Sequence, residues 1–529
     1  MISKEIIKSV LASNQDSVRQ FKIIPRGIPS DEYKQTVFVG VRRSGKSFML
    51  YQKIQDLLNS GFGWDNMLYV NFEDERLNGF SSDDFERILD CHREMYGKRP
   101  MLFLDEIQNI EGWEKFARRM ADNQYFIWIT GSNQKMLSKD IQARLGGRYT
   151  TKEVYPYSFK EYLDANDIHL SETSFYNSDN KAQLIRFWNS YLYGGGMPHV
   201  AQLPLNNPYR NIYLQDTYGK VYLNDIANRT GISAAYYNHL RLLLRKMAES
   251  VLQPDSYANF RRALSSVSGN ISPITVAAYI NGCEDAWLIL RLRNIASHFS
   301  EKETSCKYYF IDNGFLNMHL LDGKSSLLEN TVALALFRKY GHDADNQRVF
   351  FYNKNIEVDF YIPEDELAIQ VAYTIYGSQN TYNREVDALT KFENFKPGCK
   401  RMILTNDEEG LITDKHGEIE VKPFWKWSLE QDVKQTIGQN KNISIAKLGE
   451  LREKITLMLI ERASDRSDSC LSEEFKGAIN EYTALVPTED LKIHLESLWR
   501  KAKAILDADG VSYHKQEDTH QELLDIVKP

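Results

Sequence analysis

The pattern of apolar and polar positions changes period several times along the chain. Ile6, Ile7, Val10 and Leu11 recur at helical spacing, and Pro25-Arg-Gly-Ile-Pro29 interrupts the pattern. From residue 35 to 165, short continuous apolar runs alternate with helical stretches. The runs are Thr36–Val39, Met67–Asn71, Met101–Leu104 and Tyr125–Thr130. Runs of this length suit strands buried on both faces, and the helices between them imply a parallel α/β sheet. Residues 166–200 begin polar, turn helical and end in Gly194-Gly-Gly-Met-Pro198. Helical spacing then continues to the strand candidate Trp287–Leu292. Strands return at Lys307–Ile311, Val349–Tyr352, Val358–Ile362, Leu367–Val371 and Arg401–Thr405, and residues 430–529 read as helical.

Composition narrows the classes. At about 150 residues per domain, 529 residues predict three to four domains. Hydrophobic residues at 42% and charged residues at 26% exclude disordered and collagen-like chains. A net charge of −7 removes the chain-wide basic field of a typical nucleic-acid binder. Five cysteines lie far apart with no CxxC pair, so neither a zinc ribbon nor a disulfide framework is legible. No apolar stretch approaches a membrane span, and the charged N-terminus is unlike a signal peptide. The expectation is a cytoplasmic protein with no membrane partner.

The clearest chemistry lies at Gly40-Val-Arg-Arg-Ser-Gly45-Lys46-Ser47, which fits the P-loop pattern G-x-x-x-x-G-K-[ST]. Glycines let the backbone curl so that its N–H groups face phosphate, and the helix N-terminus that follows favours an anion. Gly40, Arg43, Ser44, Gly45, Lys46 and Ser47 are therefore expected to bind ATP. Lys46 reaches the β- and γ-phosphates, and Ser47 ligates Mg²⁺. The apolar run Met101–Leu104 ends in Asp105 and Glu106, two carboxylates at the carboxyl edge of the sheet, where ligands of open α/β folds sit. Asp105 is the second expected holder of Mg²⁺, and Glu106 the general base. Ser132, after the next strand, is a candidate γ-phosphate sensor, with a helix N-cap as the plainer alternative. Arg144 and Arg148 are candidate arginine fingers, in cis or in trans, with a surface salt bridge as the competing role.

These segments, with Tyr69–Asp74, Leu104-Asp-Glu-Ile-Gln108, Thr130-Gly-Ser132 and Pro156–Glu161, resemble the prokaryotic AAA-type ATPases that carry a C-terminal domain of unknown function. Tyr193–Pro198, Tyr213–Tyr218, Asn224–Ile226, Ile271–Val276, Tyr308–Gly314, Leu328–Asn330 and Glu357–Phe360 extend the resemblance across roughly residues 20–405. It implies a P-loop ATPase core, a winged-helix module and a restriction-endonuclease-like domain. The expected boundaries are an arm at 1–34, the P-loop ATPase domain at 35–165, a helical and winged-helix module at 166–300, the nuclease-like α/β domain at 301–428 and a helical extension at 429–529.

Two local readings temper that implication. The second helix of the helix-turn-helix candidate, after Ser272 and Pro273, carries no basic side chain, so base-specific DNA reading is not favoured. In the nuclease-like part, Glu329 and Asp359 stand where the resemblance implies metal ligands. Gln370 replaces the second carboxylate and Ala372 the lysine. A neutral amide is a poor Mg²⁺ ligand, so a domain without nuclease activity is expected. The leading expectation is an ATPase that passes conformational change to its C-terminal modules, with a protein partner or a second copy of itself. The alternatives are a nucleotide-gated regulatory or defence switch with little turnover, and a DNA-processing ATPase.

Overall fold

The computed structural model describes residues 2–27, 35–132, 139–169, 178–230, 237–298, 304–342 and 347–430, together with 455, 459, 499, 500 and 503. The chain divides into two compact units, 1–429 and 430–529. The helical extension expected after residue 429 lies almost wholly outside the described residues.

The first sheet has strands β1 (Gln35–Val39), β2 (Met67–Asn71), β3 (Met101–Asp105), β4 (Ile127–Gly131) and β5 (Thr150–Glu153) in the order β2-β3-β4-β1-β5. All its pairings are parallel. Phe38, Leu102, Phe103, Leu104, Ile127, Trp128 and Ile129 are buried, as continuous apolar runs require when helices cover both faces. β5 was not legible in the sequence. Its residues, Thr-Thr-Lys-Glu, form a half-buried edge strand with no apolar run. Helices α1 (Lys4–Gln20), α2 (Lys46–Asn59), α3 (Phe85–Tyr96), α4 (Trp113–Asp122) and α5 (Lys139–Leu145) belong to the same part of the chain.

The segment expected to be an arm is built into this part. Ser3 caps α1, whose Ile7, Val10, Leu11 and Val18 are buried. Lys4 and Lys8 pair with Glu94 of α3, and Gln15 bonds the Tyr96 hydroxyl. The apolar face of α1 needs a partner, and α3 with the sheet supplies it.

After the short helix α6 (Phe159–Asp164), capped reciprocally by Ser158 and Glu161, the chain becomes helical. It runs through α7 (Ser178–Gly194), α8 (Pro198–Ala201), α9 (Tyr209–Asp216), a π-helical turn at Thr217–Tyr222, α10 (Leu223–Thr230) and α11 (Tyr237–Glu249). Helices α12 (Tyr257–Ser268) and α13 (Pro273–Asp285) start at the N-caps Ser256 and Ser272. They accompany a small sheet ordered β6-β8-β7, from β6 (Asp255–Ser256), β7 (Ile289–Leu292) and β8 (Ser305–Phe310).

The third sheet is ordered β13-β14-β12-β11-β10-β9, from β9 (Phe350–Asn353), β10 (Glu357–Ile362), β11 (Leu367–Val371), β12 (Lys400–Thr405), β13 (Gly410–Asp414) and β14 (Gly417–Pro423). The β13–β14 hairpin alternates exposed and buried positions at the sheet edge, and it too offered no apolar run.

One buried junction accounts for several motifs of the resemblance. Asp312 accepts the backbone N–H of Gly196 at 2.7 Å and of Gly314 at 2.8 Å. A Cβ on Gly196 would stand 2.3 Å from the Tyr157 carbonyl oxygen, so the glycine is required by close approach. Asn313 donates to the carbonyls of Leu192 and Leu327, and Asn330 donates to Phe310 O and Asn313 Oδ1. The junction joins the exit from the P-loop sheet to the small sheet and to the helix Lys324–Tyr340.

Candidate active site

The P-loop leaves β1 and enters α2. Gly45 has φ 96°, and Arg43 also has a positive φ, 62°. Those two residues make the curl. Gly40 is needed for another reason, since a Cβ there would lie 2.1 Å from Val154 O, just beyond β5. Lys46 begins α2 and is 3% exposed. Its ammonium donates to Val41 O at 3.0 Å and stands 3.7 Å from Glu106 Oε1. Burial pulls its pKa down, outweighing the charges of Glu106 and Asp105. Ser44 Oγ is buried with no hydrogen-bond partner among the described residues.

β3 delivers the carboxylates beside this lysine. Asp105 is wholly buried and accepts hydrogen bonds from Thr130 Oγ1 and, at 3.0 Å, from the Tyr69 hydroxyl. Ser47 also donates to it. Burial first, and the charge of Glu106 second, push its carboxyl up to about 6. A carboxylate so disfavoured as an anion gains from a cation, so Ser47 and Asp105 suit a divalent metal ion. Glu106 adopts a left-handed conformation at φ 50°, uncommon for a side chain of its size. Its N–H donates to Thr130 Oγ1 at 2.9 Å, and its carboxylate accepts from Gln108 Nε2. Ser132 is 2% exposed, and its Oγ lies 3.4 Å from that same Gln108 nitrogen. Lys46, Ser47, Asp105, Glu106 and Ser132 therefore converge at the carboxyl ends of three neighbouring strands.

Two arginines organise the loop, in ways the sequence did not disclose. Arg26 is buried and makes a bidentate pair with Glu161, at 2.6 and 3.0 Å. It also donates to Ser44 O and to Tyr155 O, both at 2.9 Å. It thus fixes a P-loop carbonyl to the segment after β5. Its only sequence signal was its place between two prolines. Arg43, expected among the ATP-binding residues of the loop, sends its guanidinium elsewhere. It donates to Thr217 Oγ1 at 2.9 Å and lies over the Tyr213 ring at 5.4 Å. The side chain of Arg43 thus faces the helical module, and only its backbone remains with the phosphate loop.

Arg144 and Arg148 both pair with carboxylates of α4. Arg144 reaches Glu114 at 3.4 Å and is 66% exposed, whereas Arg148 holds Asp122 at 2.5 Å. Arg148 lines a small cavity with Gln35, Ala121, Asp122 and Gln124, at the amino edge of the sheet. That is the edge opposite the P-loop, which removes Arg148 from a role on its own chain's phosphates.

A second charged cluster lies between the small sheet and the third sheet, and its cation comes from outside the strand that ends at Ala372. Lys307, on β8, is fully buried among Asp359 at 2.9 Å and Glu329 and Glu357 at 3.0 Å. Burial alone would lower its pKa, but Asp359 and Glu329 outweigh it and hold it well above the usual value. Tyr309 donates to Glu329 at 2.8 Å. Gln370 accepts from Asp359 N and donates to Glu385, both at 2.8 Å. The Gln370 amide is a cross-link within the cluster. No group of three or more metal-ligating side chains is found among the described residues, and no described helix is long and apolar enough to cross a membrane.

Comparison with known proteins accords with this geometry. A family model described as an AAA domain matches residues 32–163, and one described as a domain of unknown function (DUF8612) matches residues 185–326. The chain is 32% identical over 443 residues to the uncharacterized protein MJ1544 of Methanocaldococcus jannaschii, covering 81% of this chain and 96% of that one. An uncharacterized protein of Haemophilus influenzae is 29% identical over 389 residues, covering 71% and 90%. Among solved structures, the Walker-type ATPase PABY2304 of Pyrococcus abyssi matches at 14% identity and a TM-score of 0.30, over 60% of this chain and 96% of that one. CDC6P of Pyrobaculum aerophilum matches at 16% and 0.24, over 60% and 98%. With MJ1544 aligned over 96% of its length, the chain belongs to the same family as that protein, and its residues 32–163, which hold the P-loop and the parallel sheet, match an AAA domain.

Proposed function

We propose that the chain binds ATP with Mg²⁺, hydrolyses it, and passes the resulting change to its helical module. The observation that carries this is the convergence of the buried Lys46 with Asp105 and Glu106 beneath the P-loop. Lys46 and the loop backbone hold the β- and γ-phosphates, and Ser132 contacts the γ-phosphate. Ser47 and Asp105 hold Mg²⁺, which offsets phosphate charge. Glu106 orients a water whose oxygen attacks the γ-phosphorus. The bond to the bridging oxygen breaks, ADP leaves with the electron pair, and the water's proton passes to Glu106. Glu106→Gln keeps the shape but cannot take the proton. It should retain ATP binding and lose turnover by about 100-fold or more in a phosphate-release assay. Wild-type turnover in this variant would remove Glu106 from the mechanism.

Arg43 supports the coupling. It is part of the phosphate loop, yet it bonds Thr217 at the start of a π-helical turn, an element often found at functional positions. In Thr217→Val, the ATP-dependent change in hydrogen-exchange protection over residues 209–230 should shrink. An unchanged response would place the coupling elsewhere. Arg144, the more exposed arginine, is the better placed to reach a second copy of the chain. Arg144→Ala should then lose turnover but not ATP binding, and wild-type activity per molecule should rise with protein concentration.

The same reading assigns the domain that holds the third sheet a structural role. Lys307 occupies the space among Glu329, Glu357 and Asp359, so no DNA cleavage is expected with Mg²⁺ or Mn²⁺. Cleavage by the wild type, abolished in Asp359→Ala, would favour the DNA-processing alternative.

A further inference from the structure

The Gln108 side chain spans the two groups that the proposed mechanism uses at opposite ends of the lytic water. Its Nε2 donates to the Glu106 carboxylate and lies 3.4 Å from Ser132 Oγ. The orientation of the amide follows from charge. An ionised carboxylate only accepts, so the nitrogen must face Glu106. Gln108 Oε1 is then buried, with no hydrogen-bond partner among the described residues. A buried orphan acceptor is destabilising, and a ligand's donor would relieve this one. Gln108 sits on the short 3-10 turn Ile107–Asn109 that follows Glu106, and the left-handed backbone of Glu106 sets the direction of that turn.

We propose that Gln108 is the positioning residue that makes Glu106 and Ser132 act as one unit, with its free carbonyl oxygen accepting a hydrogen bond from the lytic water. The inference rests on the ATPase reading above. Gln108 fixes the Glu106 carboxylate through Nε2. When the γ-phosphate engages Ser132, the Ser132 hydroxyl and the Gln108 amide shift together, and the carboxylate is aligned with the water. Gln108 contacts no phosphate, so it contributes to turnover and not to ATP affinity.

The test uses the full chain and splits kcat from binding. Gln108→Met keeps length and removes both amide functions. Gln108→Leu removes both functions without adding charge. Each should lower kcat by about 10- to 100-fold, the scale of a misplaced reacting group. ATP affinity should stay within about threefold, which also shows that the site has folded. A double-mutant cycle supplies the readout that a merely structural role would not move. If Gln108 and Ser132 act as a unit, Gln108→Met combined with Ser132→Ala loses no more than the worse single variant. Losses that multiply would overturn the inference, as would kcat within about twofold of wild type in both single variants. A wild-type protein without ATP turnover would defeat the ATPase reading first and this inference with it.

Discussion

Both charged centres of this molecule are built round a buried lysine, and the two lysines are treated in opposite ways. Lys307 has three carboxylate oxygens within 3.0 Å and is held protonated well above the usual range. Lys46 has a backbone carbonyl at 3.0 Å and its nearest carboxylate oxygen at 3.7 Å, and burial depresses it. The first ammonium is satisfied by its own fold. The second is left short of negative charge at the N-terminus of a helix, where a phosphate would complete it. A saturated buried charge marks structure, and an under-satisfied one marks a ligand site.

The largest test of this contrast is the removal of each charge without nucleotide. Lys307→Met leaves buried carboxylates uncompensated and should cost about 3–5 kcal/mol in urea denaturation. Lys46→Met replaces an under-satisfied ammonium by an apolar group of similar length and should cost less than about 1 kcal/mol. Equal losses would erase the distinction.

The pH dependence of stability sharpens it. The folded pKa of Lys46 lies below its unfolded value, so the folded state binds fewer protons there. Its burial penalty is full at low pH and fades as pH rises towards 10.5. The wild type should therefore gain stability relative to Lys46→Met between pH 8 and 10. Lys307 is shifted upwards, so its contribution is fully present below 10.5 and is lost only above that. Denaturation curves at several pH values read the Lys46 slope, and a gap to Lys46→Met that stays flat or falls as pH rises would contradict the contrast.

The smallest effect lies at the rim of the saturated cluster. Glu357 is 35% exposed at its side chain, so solvent screens its pairing with Lys307. Glu357→Gln should cost under about 1 kcal/mol in the same assay. A loss as large as that of Lys307→Met would mean that the cluster is balanced on Glu357.

The two centres also differ in how far they could be read. The P-loop is contiguous, and Asp105 and Glu106 end a strand whose apolar run announces it, so local pattern placed Lys46, Ser47 and both carboxylates together. Lys307 and Asp359 are 52 positions apart and belong to different sheets. The pattern marks Asp359 and leaves its cation unseen, because no spacing along one strand announces a lysine that comes from another sheet. Arg26 was hidden for the same reason, since its partners Ser44, Tyr155 and Glu161 come from distant segments. Edge strands β5 and β13 escaped because a half-exposed strand has no apolar run to show. The P-loop motif speaks for the backbone at Arg43 and says nothing of its side chain, which tertiary packing turns towards Thr217.

The central claim is that Lys46 is completed by a ligand and Lys307 is not. It is tested most directly by measuring unfolding free energy with and without Mg·ATP in the wild type and in Lys46→Met. At an ATP concentration about 100 times its dissociation constant, linkage predicts a wild-type gain of about 2.7 kcal/mol. Lys46→Met should gain nothing under the same conditions. A variant stabilised as much as the wild type, or a wild type that ATP does not stabilise, would contradict the account.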